Sequence, residues 1–491
     1  MMGNEESQED KFIYNFRLSK RIPLDHPLRK IRDMLDLDFL YDLLKRKYGT
    51  RGNVSVPPPI LMKMMLLLVF YNVRSERELM RTIPMRLDWI WFLGYDLDDD
   101  IPHHSVLSKA RKRWGEEVFK ELFERILLQA AESGLVDGGK LFADSSLVEA
   151  DASKNSVKRI SNMKLASTYK ELLNRLDEEE SEDEEEGGDK GNEGGRYGKV
   201  NKIHKSDTDP EATIVRQQGS SDLYYKVHRS VDERCEVITC CHTTTGIVNE
   251  AHVLEDLIDG HKEILGCDPG IVVADSKYGT KENFVKLKKR GIQTHIKDLS
   301  IAQKEGGSRK GKFSKEDFEY NIEGDYFVCP GGEKLGKRSY NPNRGWYEYK
   351  ASKNKCDVCH LRLECTVDKN GRSLKRHPEE EYLQLAKQDA HSIGAKADLK
   401  KRQHLMERSF ATGIRYGYKR ARWRNMWRVS IQQYLIATVQ NLQKIFIYGG
   451  GLGYNKAIFL NLLQKFSLKN CIFGILTKIN LNFRILNLKV Y

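Results

Sequence analysis

The stretch GIVVADSKYGT at residues 270–280 runs a short apolar segment into an aspartate, Asp275, and then at once into small, polar and turn-forming residues. KLFAD at 140–144 ends the same way, on Asp144. A short apolar run bounded by turn residues reads as a buried strand. A carboxylate at the carboxyl end of such a strand stands where α/β sheets bind their ligands. Two of them side by side offer hard oxygen donors to Mg²⁺, and two such ions about 3.5–4 Å apart clamp the attacking and leaving oxygens of a phosphoryl displacement. A third acid is then wanted, and Glu407 is the candidate. From Lys396 to Arg428 there are eleven Lys or Arg against Asp398 and Glu407. Composition alone reads Glu407 as a surface ion-pair partner for Arg402 or Arg408. Spacing reads it as a ligand, because the intervals from Asp144 to Asp275 and from Asp275 to Glu407 are nearly equal.

The cysteines offer a different chemistry. FVCPGG and then CDVCHLRLEC bring Cys329, Cys356, Cys359 and Cys365 close together in the chain. A Cys-x-x-Cys pair lets one turn aim two thiolates at one ion, and four such ligands suit structural Zn²⁺; free thiols and a redox disulfide are the alternatives. Cys235, Cys240, Cys241 and Cys267 fall in or beside strands and read as core residues.

Positioning these groups requires a recognisable order of elements. Residues 25–134 read as helices: three prolines precede the apolar run at 60–72, SERE carries a capping pair in Ser75 and Glu78, and Gly134 marks a stop. Strands are then expected at 139–147, 222–231 and 235–244, with the turn between the last two at DER, 232–234. A helix at 250–264, the strand ending on Asp275, a helix at 281–290 and a strand at 293–297 follow. That order lets the first and fourth strands lie side by side, which would bring Asp144 and Asp275 together. Nine of the ten residues at 177–186 are acidic and GGDKGNEGG follows, a composition that cannot bury enough apolar surface to fold. After QYLIATVQNLQKI at 433–445 comes a glycine-rich, basic and apolar tail without a phosphate-loop Gly-Lys-Ser/Thr.

The chain of 491 residues holds 82 Lys and Arg against 70 acidic residues, a net charge of +12 that favours a polyanionic partner. Between Arg420 and Arg428 the arginines alternate with Trp423 and Trp427, and SKARKRW at 108–114 is a second basic patch. Phosphate neutralisation by such residues supplies most of the salt-dependent affinity for nucleic acid. No apolar run is long enough to span a bilayer, and no leader pattern is evident. The expected compartment is a reducing cytoplasm.

Five pieces in order, FADSSLVEADASK, SDTDPEATIVRQ, YYKVHRSVD, VADSKYGT and ERSFATGIRYGYKRARWR, resemble the DDE transposases of bacterial insertion sequences, in the branch called IS eleven-eighty-two. The N-terminal pieces PPPILMKMMLLLVFYNVRSERELMRTI and WFLGYDLDDDIPHHSVLSKARKRWG are similar to that family's helical domain. The resemblance covers about residues 15–445. It implies an α/β fold with an RNase H-like mixed sheet flanked by helices, an all-helical N-terminal domain and a Cys-rich insertion. The corresponding divisions are 1–135 for recognition of transposon ends, 138–299 for the first part of the catalytic domain with an acidic insertion at about 154–205, 300–390 for the Cys-rich insertion, 391–445 for the part carrying the glutamate, and 446–491 for a tail of unassigned role.

The family's metal ligands carry over onto Asp144, Asp275 and Glu407, which would hold two Mg²⁺ ions, with Mn²⁺ able to substitute. The implied reaction is cleavage at the element's ends and transfer of the liberated 3′ hydroxyl into target DNA, in a bacterial cytosol at the nucleoid. Arg402, Arg408, Arg415, Lys419, Arg420, Arg422 and Arg424 are the expected DNA contacts, and Lys226, His228 and His252 are candidates beside the catalytic strands. Joining two ends implies a homodimer or larger assembly. The sequence departs from the family where Ile414 stands in place of a basic residue, with Arg415 one step later, and where Gln403 stands in place of an arginine. A decayed or domesticated transposase that holds DNA through a zinc-bearing structure is the alternative from another class.

Overall fold

The computed structural model describes residues 17–49, 54–160, 200–217, 219–297, 312–342 and 345–449. The expected helices of the N-terminal region are present, among them Pro27–Met34, Pro58–Phe70, Glu76–Thr82, Ser105–Trp114 and Glu117–Glu132. Pro58–Phe70 is apolar on every side and is accordingly buried almost throughout, the core helix around which the others pack. The Ser75 side chain accepts from the Glu78 N–H at 3.2 Å and starts Glu76–Thr82. Gly134, at φ 70°, ends Glu117–Glu132 in a left-handed turn.

The central sheet is built from β1 (Lys140–Glu149), β4 (Thr213–Gln217), β5 (Ser220–Asp232), β6 (Ile238–Thr245), β7 (Ile271–Ala274) and β8 (Gln293–Ile296); β2 (Val157–Arg159) and β3 (His204–Ser206) pair separately. The order is β4–β5–β1–β7–β8, and β6 pairs with the later half of β5. β1 is antiparallel to β5 and parallel to β7, with Phe142 opposite Val273, so the expected adjacency of first and fourth long strands holds. The helix Leu254–Leu265 forms the crossover between β6 and β7, and Lys281–Lys289 joins β7 to β8. β6 begins at Ile238 rather than 235, because Glu236 adopts φ 58° and lengthens the turn.

The acidic insertion expected at about 154–205 falls mainly on 161–199, outside the described residues, as do residues 450–491 of the tail. Residues 319–376 form a second, antiparallel sheet of β9 (Glu319–Asn321), β10 (Tyr326–Val328), β11 (Lys334–Asn341), β12 (Trp346–Lys350) and β13 (Ser373–Arg376), with a small core of Phe318, Phe327, Leu335, Tyr349, Ala351 and Leu374. These strands were not legible beforehand, since charged residues interrupt their alternation.

Two long helices close the fold. Ile393–Ile414 lies against β1, β7 and β8. It is pinned there by Asp398, whose carboxylate accepts from Lys140 Nζ at 3.0 Å and sits 2.7 Å from His295 Nδ1. Met426–Tyr448 packs against β6, Pro58–Phe70 and Glu117–Glu132. Most of its buried amides are matched, Gln433 Nε2 being an exception. Asn441 accepts from the Ile238 N–H and donates to the Ile238 carbonyl, each at 2.9 Å, completing the start of β6. One contiguous core runs from the N-terminal helices through one face of the sheet to this last helix. Among the described residues no helix is long and apolar enough to cross a membrane.

Candidate active site

β1 and β7 stop pairing at Phe142–Val273. Asp275 follows the end of β7 directly, whereas Asp144, expected to close its strand, lies in the middle of β1, which stays paired with β5 as far as Glu149, so it stands just past the end of the parallel ladder. Asp275 begins a short 3-10 turn, Ser276–Tyr278; its Oδ1 accepts from the Ser276 N–H at 2.6 Å and the Ser276 hydroxyl at 3.3 Å. Asp144 accepts from the Ser145 N–H at 2.8 Å and, through Oδ2, from Arg402 Nη1 at 2.6 Å. Burial pushes the Asp144 carboxyl above its ordinary pKa; Arg402 and the Ser145 N–H oppose that, and the negative charge of Asp275 adds to it. The two carboxylates therefore share one electrostatic environment in which further positive charge is favoured.

Glu407 lies on the same helix as Arg402, exposed, with Oε1 accepting from Gln403 Nε2 at 3.2 Å. Neither ion-pair partner suggested by composition is its own, since Arg402 engages Asp144 and Arg408 engages Glu236. Among the described residues, no three or more His, Cys, Asp or Glu side chains gather as a group that could hold a metal ion. Asp144 and Asp275 are thus brought together, and Glu407 stays apart from them on a helix that packs against their strands.

A carboxylate that the sequence reading missed stands beside the pair. Glu250 Oε1 lies 3.2 Å from the Ser145 hydroxyl, 3.2 Å from Lys226 Nζ and 3.5 Å from Lys277 Nζ. Burial would push its carboxyl up, but the two ammonium groups outweigh burial and hold it below the usual range. Burial wins for Lys226, whose pKa is lowered despite Glu250. The only available signal was position, because Glu250 opens the turn leading into Leu254–Leu265. His228 is fully buried, 3.0 Å from the Thr244 hydroxyl, and burial drives its pKa down to about 3, so it stays neutral in the wall of the sheet.

The expected DNA contacts divide by accessibility. Arg415, Lys419, Arg420 and Arg424 are exposed, with Arg420 and Arg424 near Asp151. Arg402 is largely covered by its contact with Asp144. Arg422 is half-buried and donates to the Val73 carbonyl at 2.6 Å and to Asn72. Ile414 is 51% exposed.

Cys329, Cys356, Cys359 and Cys365 lie at one end of the second sheet as free thiols. Burial raises the Cys365 thiol, Arg372 opposes it, and the other three sulfurs raise it further, which marks all four as neighbours. The Glu333 N–H points to Cys329 Sγ at 3.3 Å across the Cys-Pro-Gly-Gly turn. Cys267, expected in the core, is exposed, because Gly266 ends the preceding helix in a left-handed turn.

Two family models match. One, described as a transposase domain (DUF772), covers residues 16–113. The other, described as a transposase DDE domain, covers residues 328–446, which includes the four cysteines and Glu407. No curated protein and no solved structure matches the chain.

Proposed function

We propose, from the premise that this chain carries the domains of a DDE transposase, that it cuts DNA at the ends of an insertion sequence and joins the freed ends to a target. The observation that carries this reading is the approach of Asp144 and Asp275 just past the end of the parallel β1–β7 ladder, where the charge of Asp275 bears on Asp144. The strand order, with three antiparallel strands followed by two parallel ones, supports an RNase H-like sheet. The motifs quoted above support the IS eleven-eighty-two branch.

The donor types suit a hard divalent cation: two neighbouring carboxylates, of which Asp144 is also met by Arg402, and a third on the helix packed against their strands. Asp144 and Asp275 would hold Mg²⁺, or Mn²⁺ in its place, and Glu407, which stands apart from them, would complete the set on a shift of its helix. When bound, two such ions lower the pKa of a water and stabilise charge on the scissile phosphate. The protein's own part is positioning. β1 and β7 fix the two aspartates, Asp398 fixes the helix of Glu407, and the exposed arginines from Arg415 to Arg424 take up phosphate charge. Water oxygen attacks the phosphorus and the 3′ oxygen leaves as a hydroxyl; that hydroxyl then attacks a target phosphodiester, expelling the target's own 3′ oxygen. Each step replaces one P–O bond with another and needs no oxidant or covalent enzyme intermediate. Joining two ends calls for at least two copies of the chain, working in the cytoplasm on nucleoid DNA. The four cysteines of the second sheet are of the type that binds structural Zn²⁺, and would have to draw closer together to hold it, since they do not gather as a metal-holding group.

The test supplies the full-length protein with the inverted repeats that flank its own gene and with Mg²⁺ or Mn²⁺, and follows end cleavage and joining. The expected result is that Asp144→Asn and Asp275→Asn each abolish both activities. Cleavage and joining that persist in Asp275→Asn, or their absence from the unaltered protein, would overturn the reading.

A further inference from the structure

We infer that a second DNA contact, separate from the carboxylates, is a cationic pocket where the two matched transposase domains meet, and that it receives a backbone phosphate of DNA. The inference rests on the transposase reading and deepens it. The cavity, of about 470 Å³, is lined by Arg74, Arg77, Arg111, Arg422, Trp423 and Arg428. The first three come from the N-terminal helical region, and the last three from the segment between the glutamate helix and the final helix.

Charge in this pocket is out of balance. Glu76 is the one carboxylate on its described wall, and it pairs with Arg111. Arg111 is 3% exposed, stacks 3.9 Å over the Trp423 ring, and leaves Nε and Nη1 without a hydrogen-bond partner. Arg422 donates only to neutral groups, Val73 and Asn72, and its Nε has no partner. Arg77 donates to His104 at 3.2 Å, and neither it, Arg74 nor Arg428 meets a carboxylate among the described residues. A guanidinium stays charged even when burial lowers its pKa, so the buried, unspent donors of Arg111 and Arg422 call for an anion. Their planar forks match the oxygens of a phosphate.

The pocket is also tied to the catalytic strand. β1 continues past Asp144 to Glu149, which forms a parallel bridge with Arg420 through Glu149 N–H to Lys419 O at 3.1 Å and Ala421 N–H to Glu149 O at 2.7 Å. Gln432 clamps the same segment, donating to the Gly417 and Arg420 carbonyls and accepting from the Arg422 N–H. A phosphate seated here is therefore held in fixed relation to Asp144, which favours DNA over a free small anion.

The test measures binding of a short fluorescent single-stranded oligonucleotide, with a 5′ phosphate or a 5′ hydroxyl, to the full chain in EDTA across a range of salt. Inorganic pyrophosphate serves as competitor. Arg74 is exposed and Arg428 half-buried, so Arg74→Gln with Arg428→Gln is the primary variant, and Arg74→Lys with Arg428→Lys keeps the charge. The glutamine variant is expected to weaken binding about tenfold and to flatten the salt dependence by about 0.7 log units per log salt, the contribution of one phosphate on a single strand; the lysine variant is expected to restore most of that slope. Loss confined to the 5′-phosphorylated strand would assign the pocket to a strand terminus, and equal loss to an internal phosphate. Unchanged affinity and slope in the glutamine variant, or failure of pyrophosphate to compete, would overturn the pocket alone. Failure of the unaltered protein to bind any strand would overturn the transposase reading with it.

Discussion

Arg402 donates to Asp144 from a position five residues before Glu407, so one helix supplies both the positive charge that Asp144 meets and the carboxylate proposed to join it. The guanidinium occupies the Oδ2 oxygen that a divalent ion would share. Arg402→Gln should therefore bind Mn²⁺ more tightly, by roughly tenfold, the scale of one screened charge interaction of about 1.4 kcal/mol. Calorimetric titration with Mn²⁺ measures it, and equal or weaker affinity in the variant would count against a cation seated on Asp144.

Glu116 provides a pH-dependent element remote from that site. Burial raises its carboxyl to about 7, opposed in part by a hydrogen bond from Ser430 on the last helix. A folded pKa above the unfolded value means that stability is fully present below about 4.5 and is lost as pH rises through about 7. Glu116→Gln should accordingly melt below the unaltered protein at pH 5 or match it there, and melt above it at pH 8.5. Thermal unfolding at the two pH values decides this, and a difference that does not grow with pH would reject the buried, protonated Glu116.

Ile414 sits exposed where the helix of Glu407 ends, beside the exposed Arg415. Ile414→Arg should raise affinity for duplex DNA and steepen its salt dependence by about 0.9 log units per log salt, the contribution of one added phosphate contact. An unchanged slope would mean that this helix end does not face DNA.

The four thiols at the end of the second sheet yield a prediction about metal content. Purified protein should carry zinc, and Cys359→Ser should lower its zinc affinity and the melting temperature of the second sheet. Elemental analysis before and after chelation checks the first point. Zinc-free protein with an unaltered melting profile would leave the cysteines as ordinary thiols.

The sheet was legible because its strands alternate with turn residues and its crossover helix keeps strict apolar spacing. From that order the meeting of Asp144 and Asp275 could be inferred without coordinates. Glu250 was not legible, because its partners Ser145, Lys226 and Lys277 come from three separate segments that only the folded sheet assembles. The side of the helix on which Glu407 lies was equally hidden. Ile393–Ile414 mixes polar and apolar positions in equal number, so its buried face is set by contacts such as Asp398 with Lys140 and His295 as well as by its apolar residues. The amides of the last helix look like solvent-facing residues in sequence, yet Gln432, Gln440 and Asn441 are buried because the backbone of other segments needs their hydrogen bonds, and Gln433 is buried where it accepts from Arg229.

The shared interior that joins the N-terminal helices to the sheet and the final helix has an evolutionary consequence. A gene exchange that imported only the N-terminal helical segment from a relative would bring in side chains shaped for another protein's last helix. Such a chimera would pack poorly at Met62, Phe123 and Tyr434 together. Changes of recognition specificity are therefore expected to arise by substitutions on the outer surfaces of these helices, with the inward faces inherited as a unit alongside the catalytic half.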